Sequence, residues 1–240
     1  MVLVHPIGGD VQAYRELAER MSADVRVLAI ESPMLHDAPA PHSIDSLAVQ
    51  YADALRETPI EGTLVLGGWS LGGLIAAAMA QVLGERCDGI VFVDSFSTAA
   101  EEVTDPLHAA ALILAGELGL KTSIIHDHAF GTSAPDRLLE AGKHFKRLPE
   151  GTSMQDLEKR LTVLSTHLRI WRTHQAAVID VPALYLGAGE CHAAGGFVST
   201  RVMEQVAIPD CNHHTILRTP QQALIAEHLC HFIDSLRGPI

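Results

Sequence analysis

The sixteen residues from Thr63 to Ala78, TLVLGGWSLGGLIAAA, decide the fold. Their apolar run, Leu64-Val65-Leu66, predicts a short buried strand that breaks at Gly67-Gly68, and the alanine-rich stretch after Gly72-Gly73 predicts a helix. Within this strand, turn and helix, Gly68-Trp69-Ser70-Leu71-Gly72 matches G-x-S-x-G, the nucleophile elbow. Such a turn cramps the serine backbone and lifts the Ser70 hydroxyl clear of the sheet edge. Its flanking glycines are needed because side chains there would collide with the neighbouring strand and helix. The Leu71 N–H then lies at a helix N-terminus, where developing negative charge is favoured. The plain alternative is a glycine-rich turn with Ser70 as a helix N-cap.

The bulk of the chain bounds what such a serine could serve. Its 240 residues are enough for one well-buried core, and a composition of 48% hydrophobic and 19% charged residues without low-complexity tracts is globular. No apolar run is long enough for a membrane span, and MVLVHPIGG lacks the basic start of a signal peptide. A formal charge of −12 opposes nucleic acid or an anionic membrane as partner. Cys87, Cys191, Cys211 and Cys230 lack C-x-x-C spacing and read as reduced, mostly buried thiols of a cytosolic protein. Fourteen histidines are many, so each needs its own reason for a role. The pairs His126/His128 and His228/His231 have no third ligand at metal-site spacing.

Outward from the elbow, Val2-Leu3-Val4 reads as a strand running into His5-Pro6-Ile7-Gly8-Gly9. A glycine-rich loop after an early strand is where this kind of sheet supplies a second oxyanion N–H, and Ile7 is the candidate donor; an ordinary strand-to-helix turn is the alternative. Asp10 can cap a helix carrying Tyr14, Leu17 and Met21, Val25 to Ile30 reads as a strand, and Ser43 caps a helix with Ile44, Leu47, Tyr51 and Leu55 on one face. Gly89 to Val93 is a further strand, stopping at Asp94. This alternation predicts an α/β fold with a mostly parallel sheet. Residues 95–177 read as wholly helical, a lid inserted into a single domain over 1–240, or else a helical subdomain that completes the core. Strands at Pro182 to Leu186 and Gln205 to Ile208 resume the sheet. The chain closes with a helix for which Thr219 is the expected N-cap, Pro220 the first helical residue and a glutamine the closer of a capping box.

A serine nucleophile needs a base poised near neutral pH, expected on a loop after the last strand. Asp210-Cys211-Asn212-His213-His214-Thr215 is that loop, and only one of its two histidines can face Ser70. The orienting carboxylate is either Asp94, at the sheet edge that also carries Ser70, or Glu190, after the following strand. Asp94 could instead cap the first helix of the insertion.

HPIGGDVQAY, LVLGGWSLGG, GIVFVDS and NHHTIL, in this order and at these distances, resemble the thioesterase domains that end non-ribosomal peptide and polyketide synthases. The resemblance covers nearly all the chain outside the insertion. It implies an α/β-hydrolase fold with a helical lid, favours Asp94 as the acid, and makes His213 the base of a Ser70-Asp94-His213 triad. Cys211 and Asn212 depart from the family's Gly-Asp before that histidine. The implied substrate is an acyl, peptidyl or polyketidyl thioester on the phosphopantetheine arm of a carrier protein. Ser70 would attack it with the oxyanion held by the Leu71 and Ile7 N–H groups, and water or an internal nucleophile would release the chain. No metal or nucleotide cofactor is implied. Lys143, Lys146 and Arg147 are the densest basic cluster, and form either a docking patch for the carrier or a solvated helix face. A free-standing esterase or acyl-CoA thioesterase is the alternative enzyme, and a catalytically silent binding module the alternative outside enzymes.

Overall fold

In the computed structural model, which describes residues 1–98, 105–189 and 193–238, six strands form one parallel sheet. They are β1 (Val2–Val4), β2 (Leu28–Ile30), β3 (Val65–Trp69), β4 (Gly89–Val93), β5 (Ala183–Ala188) and β6 (Met203–Ile208), in the order β2-β1-β3-β4-β5-β6. The register sets Val4 between Ile30 and Gly68, and Val93 between Trp69 and Leu186, so the carboxyl ends of the central strands finish together. Strand order changes direction between β1 and β3. Open parallel sheets present their ligand crevice at such a reversal, outside the carboxyl ends.

Alternate strand residues feed two cores. Val2, Val4, Leu66, Ile90 and Phe92 face α2 (Ile44–Glu57) and α3 (Leu71–Leu83), while Leu3, Val65, Val91 and Val93 face α1 (Arg15–Arg20) and α7 (Gln221–Leu236). Ser43 and Ser46 close a capping box at α2, the start expected from the sequence. Between β4 and β5 the chain forms α4 (Pro106–Glu117), α5 (Ala134–His144) and α6 (Met154–Thr173). Asp105 caps α4, and Ser133 with Asp136 and Ser153 with Asp156 form capping boxes on the other two. Leu157, Leu161, Leu164, Leu168 and Trp171 of α6 are all buried, in the same apolar cluster as Ile90 and Phe92. The inserted helices therefore extend the core over one sheet face. Among the described residues no helix is long and apolar enough to cross a membrane.

Several local expectations give way to tertiary context. The elbow strand does not break at Gly67-Gly68 but runs through both, because the two glycines pair in register with Leu3 and Val4 of β1 and with Val91 and Phe92 of β4; a β-carbon on Gly67 would lie 2.8 Å from the Val91 carbonyl oxygen. The strand expected from Val25 shrinks to Leu28–Ile30, since its only neighbour, β1, is three residues long. Helix α7 starts at Gln221 without a side-chain cap. The Thr219 hydroxyl instead meets Glu16 and Arg20 of α1, and the amides of Gln221 and Gln222 donate to carbonyls of the preceding loop, so the capping box has no partners left. Of the cysteines, Cys87 is buried, Cys211 and Cys230 are only half-buried because their elements lie at the surface, and Cys191 is outside the described residues.

Candidate active site

Ser70 sits between β3 and α3 with φ 57° and ψ −125°, a region that costs a non-glycine residue free energy and persists only when its surroundings enforce it. Here they do. A β-carbon on Gly68 would lie 2.4 Å from the Gly72 carbonyl carbon, and one on Gly72 would lie 2.2 Å from the Val4 oxygen. The two motif glycines thus let α3 press against its own strand and against the end of β1. The Ser70 N–H donates to the Val93 carbonyl at 3.0 Å, and the Ser95 hydroxyl donates to Gly68 O at 3.1 Å, locking the turn to β4. Although Ser70 holds the N-cap position of α3, its hydroxyl makes no capping bond.

That hydroxyl instead meets His213. The distance from Ser70 Oγ to His213 Nε2 is 3.1 Å, and His213 Nδ1 lies 2.7 Å from Asp94 Oδ2. An ionised carboxylate only accepts, so Nδ1 carries the proton and the Nε2 lone pair faces Ser70. The other Asp94 oxygen accepts from the Ala188 N–H at 2.9 Å, while the Asp94 N–H donates to Leu186 O at 2.7 Å. Asp94 is therefore fixed by the end of β5 and, among the described residues, caps no helix. Glu190, the other candidate acid, lies outside the described residues.

The loop carrying His213 is shaped by the residues that depart from the related motif. Asn212 Oδ1 accepts from the His214 N–H at 3.0 Å, the Asn212 N–H donates to Thr215 Oγ1 at 2.9 Å, and the Cys211 thiol reaches Ile208 O. Asn212 thus supplies a side-chain acceptor to the turn. Trp69, the variable position before the serine, donates its indole N–H to the His213 carbonyl at 3.1 Å and lays its ring 5.3 Å from the imidazole. Tyr14 in turn accepts from the Trp69 N–H at 2.8 Å and donates to Val4 O at 2.7 Å, tying β3 to β1 just below the site. His214 stands almost perpendicular to His213, and burial lowers its pKa.

Beside the elbow, the His5-Pro6-Ile7 segment is held by a buried network. His5 donates from Nδ1 to Pro6 O at 2.7 Å, and His167 of α6 donates from Nδ1 to Ile7 O at 2.8 Å. Their other nitrogens then accept, from Tyr51 OH at 2.8 Å and from Ser32 Oγ at 3.3 Å. The two rings stack with centroids 4.9 Å apart. Burial pushes the pKa of His5 down to about 3, with His167 adding to the effect, and that of His167 down to about 4, so both are neutral. Among the described residues, neither the Ile7 N–H nor the Leu71 N–H is spent on a protein acceptor.

Ser70 and His213 open into a cavity of about 420 Å³ whose other walls include Ile7, Trp69, Phe96, Ile113 and Trp171. Ile113 and Trp171 come from α4 and α6, so the insertion roofs the site. A larger cavity of about 710 Å³ lies at the opposite, amino ends of β1 to β3, between Met1, Asp24 and Thr63. His126 packs beside His108 and His128 faces Arg137, whereas the basic trio Lys143, Lys146 and Arg147 is exposed at the end of α5.

Residues 1–111 match the thioesterase domain family. The chain is 34% identical over 96 residues to the non-reducing polyketide synthase ntnG of Nectria sp, a match covering 37% of the chain and 4% of that protein. It is 35% identical over 104 residues to the probable thioesterase lcsE of Purpureocillium lilacinum, covering 40% and 32% respectively. The chain thus spans less than two thirds of the length of either relative. Among solved structures, the Vlm2 thioesterase domain superposes over 96% of the chain and 92% of its own length, with a TM-score of 0.70 at 23% identity. The fold is that of an α/β hydrolase, and the chain is similar to thioesterase domains and, in part, to polyketide and non-ribosomal peptide synthases.

Proposed function

We propose that this chain is a serine thioesterase that releases an acyl, peptidyl or polyketidyl chain from the phosphopantetheine thioester of a carrier protein. The observation that carries the reading is the relay from Asp94 through His213 to Ser70, opening into a mostly apolar cavity. Ser70 Oγ attacks the thioester carbonyl while His213 Nε2 takes its proton, and Asp94 stabilises the imidazolium that forms. The tetrahedral oxyanion is held by the Leu71 N–H, at the positive end of α3, and by the Ile7 N–H. When the intermediate collapses, His213 returns the proton to the leaving pantetheine sulfur, and the acyl group stays on Ser70 as an ester. Water, or a hydroxyl or amine of the chain itself, repeats the cycle, with His213 taking the incoming proton and passing it back to Ser70 Oγ.

Helices α4 and α6 act as the lid in this reading, because Ile113 and Glu117 of α4 and Trp171 of α6 wall the cavity. Lys143, Lys146 and Arg147 at the end of α5 offer positive charge to an acidic carrier. The relatedness to synthase thioesterase domains supports carrier-bound rather than small free substrates. A fluorophosphonate that attaches to wild-type protein and not to Ser70→Ala is the expected result. Equal labelling of both would remove Ser70 as nucleophile.

A further inference from the structure

Among the described residues, Glu117, the last residue of α4, is the one charged group, apart from the proposed relay, on the wall of the cavity that Ser70 opens into. Among the described residues it makes no hydrogen bond or ion pair. Its carboxylate lies over the turn that follows Ile7: a β-carbon on Gly8 would be 3.5 Å from Glu117 Oε1 and 3.8 Å from Oε2. Glu117 also borders a second cavity of about 260 Å³, which shares Pro6, Trp69 and His214 with the first and adds Asp10, Arg160 and Arg218. Arg160 is nearer to Asp10, 3.9 Å from its Oδ2, than to Glu117, with which it forms no ion pair. Burial pushes the Glu117 pKa up to about 7, with Arg160 opposing the shift and Asp10 adding to it.

A half-buried carboxyl without a protein partner, facing an apolar space, is costly unless something that enters that space compensates it. The compensating group has to donate, and an ammonium does so most strongly, because it supplies both charge and hydrogen bond. A hydroxyl supplies only the bond. Resting on the thioesterase reading of the site, we propose that Glu117 is a specificity-determining residue, whose carboxylate receives an amino group carried by the acyl chain lodged in the cavity.

Binding separates this claim from catalysis. The probes are non-hydrolysable pantetheine amides over a series of acyl lengths, each in three forms: terminal amine, the methyl counterpart and the hydroxyl counterpart. At pH 8 wild-type protein should bind the amine, at its best length, about tenfold to a hundredfold tighter than the methyl form. The preference should shrink as the pH falls below 7, where Glu117 becomes protonated while His214, Arg160, Arg218 and Asp10 remain in place around it. Glu117→Gln should abolish the preference while leaving the methyl form's affinity within about threefold, and Glu117→Leu should tighten binding of the methyl form. Equal affinities for amine and methyl at every length would overturn the proposal. So would a preference that survives in Glu117→Gln, a hydroxyl bound as well as the amine, or a uniform loss for all probes in both variants. Turnover of the matching methyl thioesters reports separately on the thioesterase reading: absence of any acyl-Ser70 would sink that reading, whatever the binding data show.

Discussion

Replacing His167 by Asn tests whether helix α6 and the Ile7 segment are joined by a neutral histidine. Asn places an amide N–H near the position of Nδ1, so the 2.8 Å bond to Ile7 O survives, but the residue can no longer titrate. His5 and His167 have folded pKa values of about 3 and about 4, against 6.5 when unfolded. Their folded pKa values are depressed, so the unfolded chain binds the extra protons as the pH drops below 6.5. Stability from this pair is therefore complete above that pH and is lost on the way down towards the folded values. Between pH 6.5 and 5, at about 1.4 kcal/mol per pH unit, each histidine loses about 2 kcal/mol of stability, and the pair about 4 kcal/mol. Urea unfolding of wild type and His167→Asn at pH 7 and pH 5 reads this directly. The variant should lose about 2 kcal/mol less than wild type between the two pH values. An identical loss in both proteins would mean that His167 is not held neutral, and would refute the network as drawn.

Three further outcomes follow from the site. Asp94→Asn leaves the carboxamide able to donate to His213 Nδ1 and so favours the wrong tautomer; steady-state hydrolysis of a thioester should fall roughly a thousandfold to ten-thousandfold, and a fall below tenfold would point to another acid. Trp69→Phe removes the 3.1 Å bond to the His213 carbonyl but keeps a ring beside the imidazole; kcat/KM should drop by about threefold to tenfold, matching about 0.5–1.5 kcal/mol, without loss of folding by circular dichroism. Gly72→Ala puts a β-carbon 2.2 Å from a backbone oxygen that cannot swing away, so thermal denaturation should show a loss of about 3 kcal/mol or more; a near-native Tm would mean that α3 can shift from β1 at little cost.

What the sequence reveals and what it hides follow physical lines. Ser70 and the parallel sheet are legible because G-x-S-x-G and alternating strand and helix patterns are local, whereas Asp94, at the end of a clean strand, is one of two candidate acids that only the family resemblance separates. The structure brings Ser70, Asp94 and His213 together across more than a hundred residues of intervening chain. The choice between His213 and His214 depends on the path of the loop, which Trp69 and Asn212 set. Trp69 fills a variable position of the motif, so no pattern advertises its bond to the loop that carries His213. Tyr14 reads only as an apolar spacing residue, yet its hydroxyl joins β1 to β3. His5 and His167 are 162 residues apart in a histidine-rich chain, and only folding shows that they stack. The misread start of α7 has the same cause in reverse: Thr219-Pro220-Gln221-Gln222 is a good local cap signal, but tertiary partners take its side chains.

The central claim is that Ser70 accepts an acyl group from a carrier protein. Intact-mass measurement after mixing the chain with a carrier loaded with a pantetheine-linked acyl group tests it most directly. The account predicts a transient mass increase equal to the acyl group on wild-type protein, absent in Ser70→Ala, with the carrier returned to its free-thiol form. Turnover of small esters with no acyl transfer from the carrier would contradict it, and would make the chain a free-standing esterase.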